Sequence, residues 1–231
     1  MAKLKGSILG KLRGTVGDFT SRVFKGENII CDLPASFTPP NDNPAIARRQ
    51  SFAMSSKLTR AINSIPLLRI VWNSRKPEGT NAYNFIFQTN YRQLNNGKLT
   101  DLNTITPLFG FPIIASAVNL TSASFNIEIA PVGSSSKEGF DLEVEVNVKM
   151  IMLMHMSQPV DTQGSDYFLN PVEFDSVPLH TETPLIFTKT FSGEEKLIYE
   201  KYGAHKAYFA LITLDTNGNP VKFSNTITGN A

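Results

Sequence analysis

The spacing of apolar residues changes once along this chain, near residue 100. Beyond it the period is two. Phe140, Leu142, Val144, Val146, Val148, Met150, Met152 and Met154 share one parity, and Asp141, Glu143, Glu145, Asn147 and Lys149 share the other. Successive strand side chains point to opposite faces, so Phe140 to His155 is predicted to be a strand with one wet face. From Ile151 onward both parities are apolar, which predicts a far end covered on both sides, by the chain's own helices or by a neighbouring subunit. Phe125, Ile127 and Ile129 alternate within Ser122 to Ala130, with Pro131 to Gly139 as a connection. Leu185 to Phe191, Lys206 to Leu214 and Val221 to Thr228 read as shorter strands. Asp215-Thr216-Asn217-Gly218 joins the last two as a hairpin, because these residue types tolerate the backbone of a tight turn.

Before residue 100 the pattern is mixed. Phe19 to Phe24 and Ile29 to Leu33 predict a β-hairpin around Lys25-Gly26-Glu27-Asn28. Four prolines between Pro34 and Pro44 predict an extended linker. Asn43 then has the chemistry of a helix N-cap and Pro44 suits a first turn. The helix runs to about Asn63, with Leu58, Ile62 and Ile65 as its stripe. Pro66 ends it or starts the next segment, Leu67 to Trp72. A second helix is predicted from Thr80 or Asn81 to about Leu94, stopped by Asn95-Asn96-Gly97. Residues 1–18 are basic and punctuated by Gly6, Gly10, Gly14 and Gly17, which predicts an extended arm that orders against a neighbour. The fold class expected is α+β, mainly β. An arm, hairpin and linker (1–42) and a two-helix segment (43–99) precede an antiparallel β-sandwich of the immunoglobulin or fibronectin type (100–231).

Composition adds an asymmetry. The net charge is +2, yet residues 1–100 carry fifteen Lys+Arg against five Asp+Glu, and residues 101–231 seven against fifteen. Opposite signs on two halves suit an oppositely charged copy or partner. Charged residues make up 18% of the chain, below the globular average of about 25%, and Ser, Thr and Asn fill the difference, as suits strands and turns. The single cysteine, Cys31, excludes an intrachain disulfide and, within Ile29-Ile30-Cys31, reads as a buried thiol. The first residues lack the apolar run of a secretory signal, and no apolar run reaches the roughly 18 residues of a membrane span. A cytoplasmic protein, or a virion component if phage-encoded, is the expectation.

The residues that carry chemistry form no recognised catalytic pattern. His155, His180 and His205 are too far apart for a local metal motif and read as strand-end or surface histidines. No Gly-x-Ser-x-Gly elbow occurs. Asp141, Glu143 and Glu145 sit about 6.5–7 Å apart if they share a strand face, near glycosidase spacing, but a solvated acidic stripe explains them as well. Met150, Met152 and Met154 read as core filler rather than a metal surface. The glycine-rich start ends in no Gly-Lys-Ser/Thr and is not a phosphate loop. Its cations, Lys3, Lys5, Lys11 and Arg13, together with Arg22, Lys25, Arg48 and Arg49, are the candidate contacts to phosphate or to a partner. No catalytic residue, metal ligand or cofactor is expected.

Several short segments resemble, in order, an uncharacterised family of Bacteroidetes bacteria and their phages. They are Gly10-Lys11-Leu12-Arg13-Gly14-Thr15-Val16-Gly17, Asn43-Pro44 with the following Arg48-Arg49-Gln50-Ser51-Phe52, Asn81-Ala82-Tyr83-Asn84-Phe85, and Phe223-Ser224-Asn225 with Gly229. The chain departs from that family at Ala45-Ile46-Ala47, where a Thr-initiated, Gln-rich start is usual, and across residues 100–180. The resemblance implies the architecture and a phage or prophage setting, and supplies no catalytic residue. The function expected is a non-enzymatic structural or assembly protein, such as a head, connector or decoration component. Behind it stand a nucleic-acid- or glycan-binding module and a hydrolase with an unrecognised site. The expected partners are proteins or further copies of the chain.

Overall fold

The structure, a computed structural model, describes residues 2–4, 13–24, 26–32, 39–135, 139–161 and 165–230. It divides into two compact units, residues 1–45 and 46–231.

In the first unit four short strands make one antiparallel sheet. They are β1 (Ala2–Leu4), β2 (Gly14–Val16), β3 (Phe19–Phe24) and β4 (Glu27–Asp32), in the order β1-β4-β3-β2. The predicted hairpin is β3–β4, with a tighter turn than expected: Phe24 pairs with Glu27, and Gly26 takes φ +83°. The glycine-rich start is in part a strand, since Gly14–Val16 pairs with Phe19–Ser21 of the chain's own sheet. Cys31 is half-buried rather than enclosed.

The helix α1 (Asn43–Ser64) is capped one residue earlier than predicted. Asp42 Oδ1 accepts from Ala45 N at 3.2 Å, so Asp42 is the cap and Asn43-Pro44 form the first turn. Pro66 starts a helix, α2 (Pro66–Arg75), because its fixed φ suits the first helical position. In α3 (Ala82–Tyr91), Asn81 Oδ1 accepts from Asn84 N at 2.7 Å. The segment predicted as two helices therefore holds three.

The strands of the second unit are β5 (Ala115–Leu120), β6 (Ser124–Ile129), β7 (Asn147–Pro159), β8 (Tyr167–Glu173), β9 (Val177–Pro178), β10 (Leu185–Thr190), β11 (Tyr202–Leu214), β12 (Pro220–Phe223) and β13 (Ile227–Asn230). Two short helices interrupt them, α4 (Val132–Ser135) and α5 (Gly193–Glu200). A three-stranded antiparallel sheet runs β10-β6-β5. A six-stranded sheet runs β12-β11-β7-β8, with β13 also on β11 and β9 on β7. With 39% strand against 26% helix, the chain is mainly β. No helix among the described residues is long and apolar enough to cross a membrane.

The alternation in β7 splits two cores. Val148, Met150, Met152, Met154 and Met156 face the three-stranded sheet, packing with Phe125, Ile127, Ile129 and Phe187. Ile151 and Leu153, with Tyr208, Ala210, Ile212 and Leu214 of β11, face α1–α3 and meet Leu58, Ile62, Leu68, Trp72 and Ile86. Each fully buried Val, Leu, Ile, Phe or Met among them contributes about 1.5–3 kcal/mol. The cover over the far end of β7 is therefore the chain's own helices.

Two strand predictions fail for a common reason, a change of direction that apolar parity does not report. Phe140 to Val146 is a turn: Val144 N and Glu145 N donate to Asp141 O at 3.0 and 2.6 Å, and Leu142 and Val144 are exposed. The acidic stripe does not exist as a strand face. Val221 to Thr228 divides at Ser224, whose Oγ accepts from Leu211 N at 2.8 Å, and β12 and β13 each pair with β11.

Candidate functional site

The predicted phosphate or partner contacts fall on both units. Lys5, Lys11 and Lys25 lie outside the described residues, and Lys3 is on β1. Arg13 and Arg22 are exposed in the first unit; Arg48 and Arg49 are exposed on α1. Of the three carboxylates read as a pair or stripe, Glu145 is turned inward at 1% exposure. It accepts from Thr213 Oγ1 at 2.7 Å and pairs with Lys222 at 2.9 Å. That is a structural ion pair holding the 139–146 turn against β11 and β12. Among the described residues no three His, Cys, Asp or Glu side chains gather as metal ligands would.

The histidines separate. His180 is exposed, whereas His155 and His205 both line a cleft of about 880 Å³ at one end of the six-stranded sheet. The reading of His155 as a strand-end or surface residue is corrected: it is only 9% exposed. Strand parity puts it there. His155 follows Ile151 and Leu153 on the helix-facing side of β7, and the β7–β11 register sets it opposite Lys206. Ser157 follows on the same face, and Tyr167 of β8 lies opposite Ser157. The floor thus turns from apolar to polar where the helical cover opens.

One wall is α1, through Gln50, Ala53, Met54 and Lys57. The other is the turn after α3. Asn95 and Lys98 exchange two backbone hydrogen bonds, at 3.0 and 2.9 Å, around Asn96 (φ +47°) and Gly97 (φ +75°). The segment expected to stop the helix is thus a tight two-residue turn of the kind these residues favour. Gly97 suits the site twice over, in its φ of +75° and in its lack of a side chain. A Cβ at this position would lie 2.7 Å from Gln50 Cβ, and Gly97 N donates to Ser51 Oγ at 3.0 Å. The close approach docks the turn on α1 and places Lys98 at the cleft.

Behind the turn a buried polar node holds the chain. Asn90 Nδ2 donates to Ile86 O and Thr104 O at 3.3 and 3.0 Å, while its Oδ1 accepts from Thr104 N and Asn103 Nδ2 at 2.9 and 3.2 Å. Asn103 Oδ1 accepts from Thr100 N at 2.8 Å, and Trp72 Nε1 donates to Ile105 O at 2.8 Å.

The charges of the cleft are unequal in their commitments. Lys206 Nζ is held by Asp101 at 2.7 Å, and that contact keeps the Asp101 carboxyl below its usual range. Burial, then the Asp101 charge, push the Tyr208 hydroxyl up; it donates to Thr100 O at 2.8 Å. Lys57 Nζ lies 4.4 Å from the centre of the Tyr167 ring, a cation–π contact. Neither Lys57 nor Lys98 has an ion-pair partner among the described residues. Burial, with a smaller contribution from Lys206, lowers the His155 pKa to about 4, so the ring is neutral at pH 7. Its Nε2 is buried with no hydrogen-bond partner, a deficit of about 1–3 kcal/mol. Gln158, also on the lining, takes φ +59° directly before Pro159, a conformation that costs about 1–3 kcal/mol for a residue with a side chain. Sequence reasoning missed this site. Only the strand register sets His155 beside Lys206 on a buried floor, and Lys57 and Lys98 sit on helix and turn surfaces that look merely solvated.

No protein-family model and no curated protein sequence matches the chain.

Proposed function

We propose that the chain is a non-enzymatic assembly protein that docks on further copies of itself through the loop carrying Leu108 and Phe109. The observation that carries this reading is Phe109: it is 93% exposed and holds φ +69°. A bulky residue in the left-handed region is strained, and such strain persists only where the surroundings enforce it. The surroundings do so. Phe111 N donates to Phe223 O at 3.0 Å, Asn225 N to Phe111 O at 2.9 Å, and Thr106 Oγ1 to Ser224 O at 2.8 Å. Gly110 lies so close to Ser224 that a Cβ would fall 2.4 Å from its carbonyl carbon. The loop is locked, and it offers an aromatic side chain of the kind that anchors interfaces, with Leu108 beside it.

The opposed charges of residues 1–100 and 101–231 favour a second copy as the occupant. The immunoglobulin- or fibronectin-type sandwich belongs to the same proposal; the apolar core shared by the three- and six-stranded sheets supports it. The narrower reading, a phage or prophage virion component, rests on the sequence resemblance. Sedimentation velocity of the full chain tests the proposal. Association is expected at low salt, weaker at about 0.5 M salt, and weakened about tenfold or more by Phe109→Ser. A monomer at every salt and concentration, or association indifferent to Phe109→Ser, overturns it.

A further inference from the structure

The cleft over the end of the large sheet asks for an occupant of its own. It is concave and of the size that small-molecule sites have, and much of its wall is apolar, including Met54, Leu99 and the ring of Tyr167. Two cations on facing elements, Lys57 of α1 and Lys98 of the turn, lack ion-pair partners among the described residues, while the third, Lys206, is committed to Asp101. One carboxylate, Asp166, shares the lining. At the floor, His155 is nine-tenths buried and its Nε2 has no partner. That nitrogen is itself shielded from solvent, so His155 meets the cleft through its other atoms.

We propose that this cleft binds a small organic anion, a phosphate or carboxylate on an apolar body, with the charge between Lys57 and Lys98 and the body against Met54, Leu99 and Tyr167, above His155. A solvated polyanion such as a nucleic acid fits less well, because two uncommitted cations beside a carboxylate are too few for a phosphate track. The strained Gln158 at the rim fits the same picture, since backbone strain collects where a side chain or a ligand must be aimed. The site is independent of the Phe109 loop, and its ligand can be present whether or not the chain self-associates.

The test uses the full chain with phenyl phosphate and hexanoate as probes, and with inorganic phosphate and benzyl alcohol as the two halves of the ligand. Binding is followed by calorimetry and by the imidazole NMR signals of His155. One amphipathic anion or both is expected to saturate with Kd below about 1 mM and to move the His155 signals, with each half binding about tenfold more weakly. Which of the two binds distinguishes a phosphate from a carboxylate ligand. Lys57→Gln with Lys98→Gln, both at exposed positions, is expected to weaken binding about tenfold or more. Ala53→Trp, exposed on α1, fills the cleft and abolishes binding at unchanged stability, and Phe109→Ser leaves binding untouched. Failure of both anions to saturate by about 10 mM overturns the proposal. So does binding unaffected by the double substitution, or binding that leaves His155 unmoved.

Discussion

Asn90 and His155 are both polar, both buried, and both on the helical side of the molecule, yet the fold treats them in opposite ways. Asn90 is 0% exposed and its amide is bonded on both sides, to α3 and to the loop that follows. His155 is 9% exposed and its Nε2 is bonded to nothing. A satisfied buried amide specifies where the chain must go; an unsatisfied buried ring nitrogen weakens the fold. The first is a structural node and the second is the floor of a cleft. The difference lies in neighbours: Asn90 meets irregular backbone with spare donors and acceptors, whereas His155 lies in a ladder whose backbone groups are already paired.

Substitution at the two positions should separate them. Asn90→Ala strands Thr104 N and removes the side-chain donor to Thr104 O, and is expected to cost about 4 kcal/mol, read as a lowered urea midpoint. A cost below about 1 kcal/mol would mean that the node is not what holds the loop. The second effect is the pH dependence of His155. Its folded pKa, about 4, lies below the unfolded value of about 6.5, so between them the unfolded chain binds a proton that the folded chain refuses. Its contribution to stability is therefore complete above about pH 6.5 and falls as pH drops toward 4, by up to about 3 kcal/mol. His155→Leu should flatten that part of the profile and cost little at pH 7.5; an unchanged slope would assign the acid sensitivity to other groups. The smallest effect concerns the cleft wall. Gly97→Ala adds a Cβ 2.7 Å from Gln50 Cβ at φ +75°, whereas Gly218→Ala meets nothing within 4 Å at φ +80°. The first should cost about 2 kcal/mol and the second about 1, with thermal melts as the measure. Equal losses would show that α1 yields to the turn.

How much of this was legible in the sequence varies with the source of the order. The parity of Val148 to Met154 foretold β7 and both of its faces, because burial on a pleated sheet writes itself into alternation. The same parity ran on through Phe140 to Val146, where a turn happens to carry alternating residues, and so produced a strand face that does not exist. Strands β5 and β8 were passed over: Ala115–Leu120 is largely exposed, and Tyr167–Glu173 contains Asn170-Pro171, which reads as a break. Helix α5 had left a signal, since Ser192 and Glu195 form a reciprocal capping box, and its short length hid it. The cleft was illegible for another reason. Lys57, Lys98, His155 and Lys206 are brought together by register and helix docking, which no local pattern encodes.

The pairing of β7 with β11 also sets a timetable for synthesis. Both cores need β11, whose alternating residues complete each face beside β7. Residues 160–201 must be made first, and at about 5–20 residues per second that takes on the order of seconds. During that interval the nascent chain displays Val148 to Met156 without its central neighbour, an unmatched apolar ribbon that ribosome-associated chaperones are suited to hold.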